Sequence, residues 1–296
     1  MGRVTYGMPR RRRQRIGYFG LPGSFTHEVA QRCYARQELL PFHQMASGFE
    51  QLRADEMDRI VVPFENSVGG AVPDTLDQLI LLENWESVFA IVGQMVYPIE
   101  LCLMSRARRD GIRRIYSHFV PLQVVRGWLE REYPGAQAIV VGSTSAAAEQ
   151  AAEDECGAAV GNAAAAGQYG LRLVARNLVP PSINVTRFLE IGLAGGRRRG
   201  RSGGQERAMA HLRLANRPGA LADVLMVLKR KRVNMTQLLS RPVQGQLGQY
   251  QFLVEMDVPA RRMAMAEVWR ALGKKASFLH VLGQYPVRWI GRRLAA

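Results

Sequence analysis

The sequence predicts an α/β protein made of a two-lobed unit over residues 16–193 and a smaller domain over residues 208–290. Three observations predict it. From Ile16 onward, short apolar runs alternate with amphipathic segments, the pattern of a layered protein with a largely parallel sheet. These alternations form two sets, separated by a long extended stretch from Val88 to Met104 that reads as strands crossing between two lobes about a hinge. The Gly/Arg/Ser-rich segment 194–207 buries too little apolar surface to order itself and reads as a linker. A length of 296 residues also favours two units over one.

In chain order, Ile16 to Phe19 reads as a strand leading through Gly20 and Gly23 into a helix near His27 to Leu39. Arg59 to Pro63 leads through Asn66 and Ser67 into a helix over Pro73 to Leu82. Arg114 to Tyr116 precedes a helix ending near Glu130. Ala138 to Val141 precedes an Ala-rich helix from Ser145, and Ala158 to Val160 precedes a short helix. Val185 to Ile191 closes the set as a strand. After the linker, His211 to Ala215 reads as a strand, and Pro218-Gly219 starts a helix to about Lys231. Met235 to Ser240 and Tyr250 to Asp257 read as strands joined by Gln244 to Gln249. A helix over Met263 to Leu272 and a strand near Leu279 to Tyr285 complete a βαββαβ, ferredoxin-like order.

The net charge of +15 raises the question of a nucleic-acid partner, and its location argues against one. Residues 1–15 hold six Arg and no acid, and residues 194–207 hold five Arg against one Glu, so ten of the fifteen charges lie in a tail and a linker read as unstructured. The cluster Lys229 to Arg232 ends a helix, where cations suit the dipole. Cys33, Cys102 and Cys156 are odd in number and widely spaced, as expected of reduced cytosolic thiols. No apolar run is long enough to span a bilayer, and no export signal follows the basic N-terminus, so a cytoplasmic, soluble protein is expected.

Three strand-to-helix turns carry small polar residues: Ser24 and Thr26, Asn66 and Ser67, and Ser143 and Thr144. In open α/β sheets ligands collect beyond the carboxyl ends of strands, where helix N-termini favour anions. Taken singly, each turn is better accounted for by N-capping; their convergence points to a small carboxylated ligand. Glu65 at a strand end could act as acid, base or structural acceptor. His118 could titrate near neutrality or be a structural hydrogen-bonding residue. No dinucleotide fingerprint, Walker loop or metal-ligand spacing is present, so chemistry without cofactor or metal is expected.

Gly20-Leu-Pro-Gly-Ser-Phe-Thr26, Pro63-Phe-Glu-Asn-Ser-Val-Gly-Gly70 and Thr75-Leu76-Asp77 resemble segments of the prephenate dehydratase family. So do Ser143-Thr144, Tyr169-Gly170-Leu171 and Asn184-Val-Thr-Arg-Phe188, in the same order. In the second domain Pro218-Gly219-Ala220-Leu221, Asn234-Met235-Thr236 and Ser240-Arg241-Pro242 resemble an ACT regulatory domain. The resemblance covers about residues 16–285. It implies a periplasmic-binding-protein-like catalytic unit with its active site between the lobes, an assembly of two or four copies, and conversion of prephenate to phenylpyruvate. It also implies Thr186 as the essential threonine, with Glu65, Asn66 and Ser67 as further catalytic residues. Substrate would be held by Ser24, Thr26, Ser143, Thr144, Arg187, Phe188 and His118. Phenylalanine would be sensed by Gly219, Ala220, Leu221, Asn234, Ser240 and Arg241. Side chains alternate along a strand, so Thr186 and Arg187 should face opposite ways, and Thr186 is placed in the cleft.

The sequence also departs from the family. Ser117-His118-Phe119-Val120 stands where Ser-His-Pro-Gln is usual, Leu178 to Ser182 is apolar where acidic and amide residues are common, and Leu239 replaces the Glu before Ser-Arg-Pro. Three other readings compete with dehydration. One is a relative that decarboxylates prephenate without aromatising it, which would lack the threonine. Another is a non-catalytic carboxylate sensor. The third is nucleic-acid recruitment by the basic segments, ranked last.

Overall fold

The computed structural model describes residues 13–81, 88–180, 182–195, 204–259 and 263–291. Most of the expected basic tail and most of the expected linker lie outside them. Among the described residues no helix is long and apolar enough to cross a membrane.

The first lobe is built on β1 (Arg15–Phe19), β2 (Glu38–Phe42), β3 (Arg59–Asn66), β5 (Phe89–Pro98) and β11 (Val185–Leu193). A two-residue strand, β4 (Gly70–Ala71), turns back on β3. Helices α1 (Phe25–Tyr34), α2 (Met45–Arg53) and α3 (Pro73–Leu81) pack on it. The expected helix to Leu39 stops five residues early, because residues 38–42 pair in parallel with β1 as β2. The sheet is mixed rather than largely parallel, since β11 runs antiparallel to both β3 and β5.

The second lobe holds a five-stranded sheet in the order β10 (Arg172–Ala175), β6 (Cys102–Ser105), β9 (Gly157–Gly161), β7 (Arg114–Ser117), β8 (Gln137–Val140). Helices α4 (Phe119–Glu132), α5 (Thr144–Glu153) and α6 (Ala163–Gln168) complete it. The chain passes between lobes twice, from β5 to β6 and from β10 to β11. The crossings are tied together by Ile99 N donating to Asn184 O (2.8 Å) and Leu178 N donating to Leu101 O (3.0 Å). Leu178, in the apolar stretch noted above, is buried in the core shared by these crossings.

The C-terminal unit has the expected βαββαβ order: β12 (Glu206–Arg213), α7 (Ala220–Lys231), β13 (Met235–Val243), β14 (Gln246–Asp257), α8 (Met263–Gly273) and β15 (Phe278–Trp289). Its first strand starts five residues before the expected His211. The hairpin turn is shorter than expected, only Gln244 and Gly245, with Gly245 at φ 73° supplying the left-handed geometry. The four strands are antiparallel in the order β13-β14-β12-β15.

The C-terminal unit continues the sheet of the first lobe. The end of β15 pairs in parallel with β5, Arg288 opposite Met95, giving one ten-stranded sheet. Met209, Leu253, Leu282 and Tyr285 of the C-terminal unit share a buried cluster with Phe64, Leu189 and Ile191 of the first lobe. Leu239, where the family carries an acid, packs against the same cluster. An ionised side chain there would lose hydration against apolar neighbours, whereas an apolar one gains from burial.

Candidate active site

A cavity of about 490 Å³ opens between the lobes, within the usual range for small-molecule sites. Ser24, Thr26, Asn66, His118, Ser143, Thr144, Thr186 and Phe188 all line it, joined by His43, Ser145, Asn184 and the apolar Leu21, Ile99 and Val120. The lobes meet closely beside it. A Cβ on Gly69 would lie 2.7 Å from Val120 Cγ2, and one on Gly23 would lie 2.8 Å from Gln168 Oε1 and 3.5 Å from Ala165 Cα. Both glycines therefore allow a first-lobe loop to touch a second-lobe helix.

Three helices begin at this cavity. Their N-caps are Ser24 for α1, His118 for α4 and Ser143 for α5. Ser24 Oγ accepts from His27 N (3.2 Å) and Ser143 Oγ accepts from Ala146 N (3.0 Å). The capping and ligand readings of these serines thus meet in one place. The hydroxyls serve as caps, and the N–H groups of Phe25, Thr26, Thr144 and Ser145, in the first turns, have no intrahelical acceptor. Among the described residues no Lys, Arg, Asp or Glu lines the cavity. The helix N-termini that open on it favour anions through their dipoles and free N–H groups.

Thr186 sits opposite Asn66 on β3 and Tyr97 on β5. Asn66 Oδ1 accepts from Val68 N and Gly69 N, both at 2.9 Å. Those partners can only donate, so the amide orientation is fixed and Nδ2 must face Thr186 and Asn184. It donates to Thr186 Oγ1 (2.9 Å) and to Asn184 Oδ1 (2.6 Å). Thr186 Oγ1 is thereby an acceptor within the protein, and its own proton remains for donation into the cavity.

Three expected site residues lie elsewhere. Arg187 points away from the cleft, as alternation along β11 requires, and its guanidinium is taken up by Glu65 (2.7 Å), Gln237 (3.2 Å) and Glu255. It holds no ligand in the cavity. Glu65 is on that same far side, accepting from Arg187 and from Gln237 Nε2 (2.7 Å). Ser67 is in the turn between β3 and β4 rather than before a helix. Its Oγ donates to Ile183 O and accepts from Val185 N, both at 2.9 Å, fastening the start of β11.

Sequence reasoning missed Asn184, His43 and Ser145. Asn184, Thr186 and Phe188 share a period of two, a signal that would have found Asn184. None of the expected effector residues lines this cavity. Gly219 caps α7 with φ 78°, Ala220 is buried, Leu221 is half-buried, and Ser240 is exposed. Asn234 Nδ2 donates to Asp257 Oδ2 (2.9 Å), and Arg241 is ion-paired with Asp77 of α3 (3.0 Å).

The family model for prephenate dehydratase matches residues 16–195, both lobes in full. This chain belongs to the prephenate dehydratase family. It is 32% identical over 277 residues to prephenate dehydratase of Amycolatopsis methanolica, covering 92% of this chain and 88% of that one. A crystal structure of prephenate dehydratase from Arthrobacter aurescens in complex with L-Phe superposes with a TM-score of 0.81 at 27% identity, covering 92% and 89% of the two chains. The structure described as GqqA, a novel type of quorum quenching acylase, superposes with a TM-score of 0.79, also at 27% identity, over 93% and 98%. The function of this chain is that of its family, prephenate dehydratase.

Proposed function

We propose that the interlobe cavity is where prephenate is converted to phenylpyruvate, CO2 and water, with Thr186 as the catalytic hydroxyl. In that reaction the C1–carboxylate bond breaks, its electron pair enters the ring, and the C4 hydroxyl departs with a proton as water. Aromatisation supplies the driving force, so the protein needs to orient the substrate and assist the leaving hydroxyl. The observation that carries the reading is the Asn66–Thr186 pair. Because Asn66 fills a lone pair of Thr186 Oγ1, the threonine proton is available to the departing oxygen, as a hydrogen bond or the first link of a proton relay. The helix N-termini at the cavity suit the carboxylate that keeps its charge through the reaction.

Acylase chemistry would instead need a nucleophile activated by a base. The hydroxyls of Ser24 and Ser143 accept from backbone N–H groups, and that of Thr186 accepts from an amide. Among the described residues no Ser or Thr hydroxyl of the cavity donates to a His, Asp or Glu side chain, so no activated nucleophile is assembled and elimination is favoured over acyl transfer.

The C-terminal unit fits an ACT domain with phenylalanine as effector. Its βαββαβ order and the L-Phe complex of the Arthrobacter aurescens relative support this. The deciding assay incubates the protein with prephenate at mildly alkaline pH, where spontaneous conversion is slow, and follows both phenylpyruvate and substrate. Phenylpyruvate formed by the unmutated chain and not by Thr186→Ala is expected. Substrate lost without aromatic product would replace this reading with a non-aromatising decarboxylase.

A further inference from the structure

Ser145 is the second residue of α5 and lines the cavity, yet it is only 1% exposed. Its Oγ has no hydrogen-bond partner among the described residues. The neighbouring polar groups follow the opposite rule: Ser143, Asn66 and Thr186 are all hydrogen-bonded within the protein. A buried hydroxyl left unpaired is costly, and such a group in a ligand cavity is a donor awaiting an acceptor. Beside it, the N–H groups of Thr144 and Ser145 at the helix start also lack intrahelical partners. Together they form a three-donor cradle suited to a carboxylate.

We infer that Ser145 Oγ binds the 2-oxo-acid carboxylate of the substrate, an inference that rests on the dehydratase reading. The ring hydroxyl and the C1 substituents of prephenate lie at opposite ends of the ring. With the hydroxyl at Thr186 on the first lobe, both carboxylates are directed away from it, and α5 of the second lobe supplies donors there. The two carboxylates make different demands. The ring carboxylate must give up its charge as it leaves, so donors on it would stabilise the ground state and raise the barrier. The 2-oxo-acid carboxylate keeps its charge throughout, so donors on it hold the substrate equally before and during reaction. Ser145 is thus a binding residue whose loss changes affinity and not the chemical step.

Phenylpyruvate retains the 2-oxo-acid carboxylate and lacks the ring carboxylate, which makes it the discriminating probe. Its Kd is measured by calorimetry on the full chain and on Ser145→Ala, alongside kcat and KM for prephenate and the Tm of the ligand-free proteins. Alanine is the best helix former and α5 is already alanine-rich, so the variant folds. The expected result is a Kd and a KM raised roughly 3–10-fold, an unchanged kcat, and a ligand-free Tm that does not fall. An unchanged Kd, with or without a lowered Tm, overturns the inference, as does a kcat effect without a KM effect. If the unmutated chain binds phenylpyruvate but leaves prephenate intact, the dehydratase reading fails while Ser145 is still judged on Kd.

Discussion

The two faces of β11 handle charge in opposite ways. On the cleft face, Thr186 and Phe188 border a cavity that has no carboxylate, guanidinium or ammonium group in its wall among the described residues. On the far face, one residue along, Arg187 enters a buried cluster centred on Glu255, which is 1% exposed. Glu255 also accepts from Arg207 (3.0 Å), Thr236 Oγ1 (2.7 Å) and Tyr285 OH (2.9 Å). Burial first, and then the Glu255 charge, pushes the Tyr285 hydroxyl pKa well up, so it stays a donor. Fixed full charges join the C-terminal unit to the first lobe, while the cleft offers a substrate helix N-termini and neutral hydroxyl and amide side chains. A cationic side chain aimed at a carboxylate that must lose its charge would oppose decarboxylation; between two packed units the same side chain supplies orientation.

Removing charge from the far face should have the largest effect on stability. Glu255→Gln leaves Arg187 and Arg207 without their shared anion and should destabilise the chain by about 3–5 kcal/mol, read from urea unfolding. The cleft face should give the reverse pattern. Thr186→Ala should lower kcat roughly 10²–10³-fold while costing about 1 kcal/mol of stability. A Thr186→Ala chain that kept full turnover, or a Glu255→Gln chain as stable as its parent, would erase the contrast.

Asn66 lies between these cases, because its two ends do different things. Asn66→Asp keeps acceptors for Val68 N and Gly69 N but cannot donate to Thr186 when ionised. Its kcat/KM should fall about 10-fold with little change in Tm; equal losses in both would make Asn66 a turn residue only.

The smallest effect is expected at a part-exposed pair in the second lobe. Asp154 accepts from Arg114 Nε (2.6 Å) and Tyr116 OH (2.9 Å). The Arg114 hydrogen bonds hold its carboxyl well below the usual carboxylate range. A depressed folded pKa contributes stability that is full above the unfolded value of about 3.9 and is lost as pH falls through the folded value. The Tm gap between the parent and Asp154→Asn should therefore be widest near neutral pH and narrow below about pH 4. A gap independent of pH would show that the carboxylate charge plays no part.

Much of the fold was legible because periodicity and turn residues agreed. The strand at Ile16, the helices at Pro73 and at Ala220, and the βαββαβ order of the C-terminal unit all follow from them. What failed was long-range. Residues 38–42 form a strand only because β1 offers an edge, and the strand β15 runs past Tyr285 only because β5 does. At the site, alternation was enough to separate Thr186 from Arg187. It gave no sign that Glu65 and Glu255, 190 positions apart, would both meet Arg187. The partners of a buried charge depend on tertiary packing, which a local pattern does not carry.

The parallel pairing of β15 with β5 also bears on how the chain folds. β5 is buried along most of its length, and one of its two edges is covered by a strand made almost two hundred residues later. Until β15 arrives, β5 would present an open edge around Gln94 to Val96, of the kind that recruits strands from other molecules. Nor can β15 be set at a distance, because a Cβ on Gly283 would run into the backbone of Ile91. The last strand therefore acts as the chain's own guard against aggregation. A version cut after β11, which keeps both lobes and loses β15, would be expected to misassemble before it could be tested for activity.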